Sequence, residues 1–324
     1  MTTPPVLLDA ARGGDRGALA RLLTVIENGG EAARGALAGL PVVAPHPAAT
    51  IGITGAPGAG KSTLTDRLVT ALRTTGARVA VLAVDPSSPF SGGAILGDRV
   101  RMAGHDTDPD VYVRSMATRG HLGGLTRSTP QAVRVLEAAG FDWVLIETVG
   151  VGQVEVEVAG AADTTVVVLN PGWGDGVQAA KAGLMEIADV FAVNKADRDG
   201  LAATLRDVRA MLSLAAGRGW EPPVVETVAT SGRGTDALLE AVVAHREHLA
   251  ATGELADRRD RRTADELRAL VVEAAVARAA LVCDGPRFAT VSGQVARGEL
   301  DPYTAATLLQ AEASDGGADR GGAR

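Results

Sequence analysis

From residue 50 onward, apolar positions fall into short continuous runs separated by stretches with helical spacing. The runs are Ile51–Thr54, Val79–Val84, Val111–Arg114, Trp143–Ile146, Thr165–Leu169, Val190–Val193 and Val224–Val228. Each is too short for a helix and rich in β-branched residues, and none alternates with polar positions. That combination predicts strands covered on both faces, as in a mostly parallel sheet with helices above and below. The first intervening helix is marked by Leu64, Leu68, Ala71 and Leu72 on one face. Outside this α/β region the periodicity is helical only. Residues from about 5 to 45 carry Leu19, Leu22, Leu23 and Ile26 at helical spacing after a candidate N-cap, Asp15, until Asn28-Gly-Gly30 stops the pattern. Pro41, Pro45 and Pro47 mark a linker. Beyond about 250, Leu267, Leu270, Val271, Ala274, Ala275 and Leu281 form an apolar stripe, and Asp301-Pro302 opens another helix bearing Leu308 and Leu309. The expected division is a helical N-terminal extension over 1–48, an α/β domain over 49–250, a helical C-terminal arm over 251–313 and a glycine-rich disordered tail over 314–324.

Composition narrows the chemistry. Aromatics make up 3% of the 324 residues and glycines number 40, so Val, Leu, Ile and Ala must build the core. A net charge of −7 without a basic face implies no nucleic-acid partner. Cys283 is the single cysteine, which excludes an internal disulfide and a cysteine metal cluster within one chain. No basic segment followed by an apolar core opens the chain, and no apolar run approaches membrane-spanning length; a soluble, cytoplasmic protein is expected. His46, His105, His245 and His248 lack metal-ligand spacing with any acid or cysteine. The charge run Asp257-Arg-Arg-Asp-Arg-Arg262 reads as a solvated face.

The most specific stretch is Gly55-Ala56-Pro57-Gly58-Ala59-Gly60-Lys61-Ser62, lying between a predicted strand and a predicted helix. This is the context that makes a phosphate site of the G-x-x-x-x-G-K-[ST] pattern. Glycines let backbone N–H groups converge on phosphate oxygens, and the helix N-terminus adds partial positive charge. Lys61 can reach the β- and γ-phosphates, the Ser62 hydroxyl is placed to ligate Mg²⁺, and Thr63 continues the first turn. In such sheets ligands lie at the carboxyl ends of strands. Those ends carry Asp85, Glu147, Asn194-Lys195-Ala196-Asp197 and Ala229-Thr230-Ser231. The Asp197 carboxylate can accept two hydrogen bonds from N1–H and the exocyclic amine of guanine, a pair adenine lacks. Mismatch would leave buried polar groups unpaired, so the selected nucleotide is GTP. Asn194 would brace the phosphate loop and the Lys195 stem would lie along the base.

Glu147-Thr-Val-Gly150 stands where many P-loop GTPases carry Asp-x-x-Gly. Its carboxylate would hold Mg²⁺ through water, being one methylene longer, and the Gly150 N–H would sense the γ-phosphate. The aperiodic loop between Asp85 and Arg101 supplies Asp85 and Asp98, candidates for the metal shell and for orienting the attacking water. Two more loops stand out: Arg114–Arg127, with three arginines and His121, suits an anion site or a partner-facing surface, and Asn170–Lys181 sets Trp173 between two glycines, suited to a partner contact.

The phosphate loop, Asp85-Pro-Ser-Ser88 with Ser91-Gly-Gly-Ala-Ile-Leu-Gly-Asp98, Glu147-Thr-Val-Gly-Val-Gly-Gln153 and Asn194-Lys-Ala-Asp197 together resemble the MeaB/ArgK family. These are GTPases associated with adenosylcobalamin-dependent acyl-CoA mutases such as methylmalonyl-CoA mutase, and the resemblance runs over nearly the whole chain. It implies a homodimeric G-protein chaperone that gates cofactor loading and protects or reactivates the mutase. It further implies a Mg²⁺ shell of Ser62, Asp98 and Glu147, Asp85 near the γ-phosphate and attacking water, and a guanine pocket of Asn194, Lys195, Asp197, Ala229, Thr230 and Ser231. Asn170–Lys181 matches the family's mobile loop, with Trp173 in place of the usual alanine. No arginine finger is evident and Gln153 is offset from Gly150, so slow intrinsic hydrolysis is expected, accelerated by a partner. Two alternatives make other demands: a metal-delivery GTPase needs His or Cys ligand clusters, which the chain does not offer, and an ArgK-type P-loop kinase needs an acceptor site, which is not visible.

Overall fold

The structure, a computed structural model, describes residues 3–41, 47–85, 104–105, 107–117, 128–148, 154–172, 183, 186–214 and 219–315. It divides into two compact units, 1–260 and 261–324.

The first unit opens with α1 (Pro4–Arg12), α2 (Arg16–Asn28) and α3 (Gly30–Ala38). Asp15 caps α2, its Oδ1 accepting from the Ala18 N–H at 2.9 Å. Gly14 and Gly29, both at positive φ, break the helical stretch into three. The α/β part runs β1 (Ala49–Gly55), α4 (Lys61–Thr74), β2 (Val79–Asp85), β3 (Val111–Ala117), α5 (Ser128–Ala138), β4 (Trp143–Thr148), α6 (Val154–Ala161), β5 (Thr164–Leu169), β6 (Val190–Val193), α7 (Leu201–Leu214), β7 (Val224–Glu226) and α8 (Thr235–Thr252).

The seven strands form one parallel sheet in the order β3-β2-β4-β1-β5-β6-β7. The continuous apolar runs are explained by strand alternation. Val79, Val81, Leu145, Val166 and Val168 pack with Leu64, Leu68 and Leu72 of α4 and with Leu238 and Val242 of α8. Their neighbours Ala80, Leu82, Val84, Val144 and Ile146 face the other way, into a cluster with Val135 and Leu136 of α5, Val158 of α6 and the buried leucines of α1 and α2. The N-terminal helices thus share a core with the sheet. At Gly52 a Cβ would lie 2.4 Å from Val158 Cγ1, so glycine is what lets α6 approach β1.

Most strands run one to three residues beyond or short of their predicted bounds, and two of these differences have a visible cause. β3 extends to Ala117 because β2 offers it a full ladder. β7 ends at Glu226, and Val228 instead makes an antiparallel bridge to Arg233 that closes the following turn.

The start of α9 (Glu254–Cys283) also differs from expectation. Arg258 pairs with both oxygens of Asp189 at 2.9 and 3.0 Å, and Arg259 reaches the buried Asp163 at 2.6 Å and the Ala48 carbonyl at 2.9 Å. Arg258 and Arg259 of this charge run are therefore docked beneath β5 and β6 rather than solvated, because those strands begin with buried carboxylates that need cations.

The second unit contains the rest of α9, α10 (Pro286–Ala296) and α11 (Pro302–Asp315). Asp301 caps α11, accepting from the Tyr303 and Thr304 N–H groups at 3.0 Å. Residues 316–324, part of the expected tail, lie outside the described residues.

Candidate nucleotide site

The loop from Gly55 to Gly60 joins the central strand to α4, and its shape depends on glycine at three positions. Gly55, Gly58 and Gly60 have φ of 135°, 74° and 95°. A Cβ at Gly55 would meet the Val168 carbonyl at 2.1 Å, and one at Gly60 would meet Asn194 Nδ2 at 2.3 Å. Gly60 brings no capping side chain to the N–H groups of the first turn of α4. Buried Lys61 folds over the same loop, Nζ donating to the Gly55 carbonyl at 2.7 Å and the Ala56 carbonyl at 3.1 Å.

Beside it, the Ser62 hydroxyl donates to Glu147 Oε1 at 2.6 Å, and both residues are buried. Glu147 reaches this position because β4 neighbours β1, with Ile53 and Glu147 in register. A hydroxyl and a carboxylate in contact are hard oxygen donors of the kind Mg²⁺ prefers, so the residues present fit that ion. Among the described residues there is no cluster of three or more His, Cys, Asp or Glu side chains placed to hold a metal.

Asn194 links the phosphate loop to the loop after β7. Its Nδ2 donates to the Ala59 carbonyl at 2.8 Å, while Oδ1 accepts from the Ala229 N–H at 3.0 Å and the Thr227 hydroxyl at 3.3 Å. Lys195 adopts φ 58° and donates Nζ to the Gly58 carbonyl at 2.5 Å. This left-handed residue turns the chain after β6 and leaves the Asp197 carboxylate exposed. Ala229 is buried while Thr230 and Ser231 are exposed. The strand ends thus bring together Gly55–Thr63, Glu147, Asn194–Asp197 and Ala229–Ser231. The Asp85 main chain ends β2, two residues beyond the Ala83↔Glu147 pair.

The sequence profile described as methylmalonyl Co-A mutase-associated GTPase MeaB matches residues 19–282. The chain belongs to the MeaB family. This MeaB-family chain is a GTPase with the P-loop fold. It is 46% identical over 322 residues to a Pyrococcus abyssi protein carried under a provisional GTPase name, covering 96% of this chain and 97% of that one. Against the GTPase ArgK of Escherichia coli, identity is 37% over 266 residues, with 79% and 80% of the two chains covered. The crystal structure of an LAO/AO transport system kinase matches with a TM-score of 0.66 and 26% identity, covering 94% of this chain and 95% of that one.

Several residues singled out in the MeaB-family sequence lie outside the described residues: Asp98, His121, Gly150, Gln153 and Trp173, together with the Asp85 side chain. One residue that no motif flags belongs to the site. Arg67, on α4, donates Nε to the Ala229 carbonyl at 3.0 Å and Nη2 to the Thr230 carbonyl at 3.2 Å. Its acceptors are main-chain atoms, which leave no signature in a sequence.

His245 is fully buried on the far side of α8. Nδ1 lies 2.9 Å from the Thr164 hydroxyl and Nε2 3.3 Å from Asp189 Oδ1, while the ring packs against Trp220. Burial lowers its pKa to about 4, against the raising effect of Asp189. It is a core residue.

Proposed function

We propose that this GTPase binds GTP with Mg²⁺ at Gly55–Ser62 and acts as a switch-type chaperone of an adenosylcobalamin-dependent acyl-CoA mutase, gating cofactor loading and protecting or reactivating it. The observation that carries the nucleotide reading is the Asn194 side chain, which ties the phosphate loop to Ala229. One side chain spanning both loops fixes the separation between the polyphosphate and base subsites, as recognition of a whole nucleoside triphosphate requires.

The roles follow from chemistry. Backbone N–H groups of Gly58–Ser62 and the α4 N-terminus receive the phosphates. Lys61 exchanges its two carbonyl acceptors for β- and γ-phosphate oxygens. Ser62 and Asp98 would hold Mg²⁺, with Glu147 acting through water. Mg²⁺ held there would supply charge neutralisation to the transferred phosphoryl group. The role assigned to Asp85 is to orient the attacking water, and that of Gly150 is to report whether the γ-phosphate is present. Asp197 receives the two guanine donors, flanked by Lys195, Thr230 and Ser231.

The mutase partnership is supported by the family description and by a mouse mitochondrial relative named methylmalonic aciduria type A homolog, 41% identical over 215 residues that cover 64% of this chain and 52% of that one. We propose in addition that residues 251–313 form a homodimerisation arm and that the protein works in the cytoplasm. Among the described residues no helix is long and apolar enough to cross a membrane.

Calorimetry with GTP, GDP and ATP in magnesium, followed by single-turnover hydrolysis with and without a cognate mutase, tests the proposal. Expected are binding of guanine nucleotides only and slow hydrolysis accelerated by the mutase. Indifference to GTP and GDP removes the nucleotide reading; an unchanged rate removes the chaperone reading. Recovery of all released phosphate as inorganic phosphate excludes the kinase activity carried in the name of the similar crystal structure.

A further inference from the structure

We infer that Arg67 is a specificity-determining positioning residue, holding the loop after β7 in the shape that accepts guanine. The inference rests on the reading of Ala229–Ser231 as part of the guanine pocket.

The loop is short and has few attachments of its own. The Ser231 N–H bonds the Val228 carbonyl at 3.0 Å, the Gly232 N–H reaches the Ala229 carbonyl at 3.3 Å, and Val228 bridges Arg233. These contacts close a turn without fixing its orientation toward the phosphate loop. Two side chains do that. Asn194 receives the Ala229 N–H from one side, and Arg67 donates Nε to the carbonyl of the same residue from the other. A second guanidinium N–H holds the next carbonyl, that of Thr230. Successive carbonyls thus accept from one planar fork, whose N–H directions are rigidly related. The Ala229 and Thr230 peptide planes cannot rotate without breaking these bonds.

Arg67 also has a fixed origin. It stands six residues after Lys61 on α4, about 9 Å along the helix axis, while Leu64, Leu68 and Leu72 anchor that helix against the sheet. The helix that carries the phosphate-binding lysine therefore also carries the clamp on the base loop. With Nε and Nη2 committed to main-chain carbonyls, Arg67 acts through the peptide groups it orients.

The test uses the full chain with R67M, which keeps the stem, and R67K, which keeps the charge but loses the fork. GDP, IDP and ADP affinities and the GDP release rate are measured in magnesium, beside the melting temperature without nucleotide. For R67M the ratio of GDP to ADP affinity should fall about tenfold and GDP release should quicken by a similar factor, with ADP affinity little changed. R67K should fall between R67M and the parent. Equal losses for GDP and ADP, or a parent-like ratio and release rate in R67M, overturn the inference. Full recovery in R67K also overturns it, since charge alone would then suffice. If R67M melts below the assay temperature, R67Q, with one donor group, reads the same ratio. A parent protein that does not distinguish GDP from ADP instead defeats the guanine reading itself.

Discussion

A single methyl group on Gly60 would sit 2.3 Å from Asn194 Nδ2, at a backbone φ of 95° that side-chain-bearing residues rarely adopt. Gly60→Ala must therefore push Asn194 off the Ala59 carbonyl or reshape the loop, and either change separates the two halves of the candidate site. The expected result is a folded protein, judged by circular dichroism, whose GDP affinity falls at least about tenfold, equivalent to roughly 1.4 kcal/mol; parent-like affinity would contradict the brace. His245 makes a different prediction, about stability. Its folded pKa of about 4 lies below the ordinary 6.5, so between those values the unfolded chain binds the extra proton. Stability is then complete above about pH 6.5 and declines as pH falls toward 4, by up to about 3 kcal/mol from this residue. Urea unfolding across that range should show a shallower decline for His245→Gln than for the parent. An identical slope would mean that the ring does not carry the effect.

At the scale of elements, the first turns of α9 are held to the bottom of the sheet by paired arginines. Asp163 sits buried at the head of β5, where Arg259 reaches both its oxygens and the Thr50 N–H reaches Oδ2. Arg259→Ala leaves a carboxylate buried with its cation removed, a loss of roughly 3 kcal/mol or more. Asp163→Asn in the same background should return part of it, because the charge that lacked compensation is gone. Chemical denaturation of the two variants and their double mutant checks this; additive losses would deny the coupling. This contact also marks what the sequence conceals. Seven strands, the phosphate loop and the Asn194–Asp197 turn are legible because each is a local pattern: an apolar run, a glycine spacing, a polar residue at a strand end. The insertion of β4 between β1 and β2 is not local, nor is the pairing of Arg258 and Arg259 with carboxylates far back in the chain. A run of alternating charges looks the same whether water or buried acids receive it. The leucines of α1 carry no legible pattern for a related reason, since Gly13-Gly14 interrupts the periodicity that would join them to α2.

On the scale of the whole molecule, the second unit exposes more apolar surface than its own helices cover. Leu267, Val271 and Val276 are each about 60% exposed and Leu281 is 76% exposed. Along α9, Leu267, Val271 and Leu281 fall within about 80° of arc at about 100° per residue, close enough to one side of the helix to act together. Single exposed leucines are ordinary, but a contiguous apolar stripe on one helix signals an interaction surface. The occupant proposed here is a second copy of the same arm, because an isologous contact lets one stripe cover its own equivalent. Replacing Leu267, Val271 and Leu281 together by glutamate sets like charges against each other across such a contact. Sedimentation velocity should then show a monomer where the parent sediments as a dimer. Nucleotide affinity should stay at the parent value, since residues 1–260 form a compact unit that contains every described site residue. A parent chain that sediments as a monomer over the micromolar range would remove the dimer. A triple variant that remains dimeric would move the contact to another surface. If the variant loses both dimerisation and GDP binding, the arm instead contributes to the site itself, and the two units are not functionally separable.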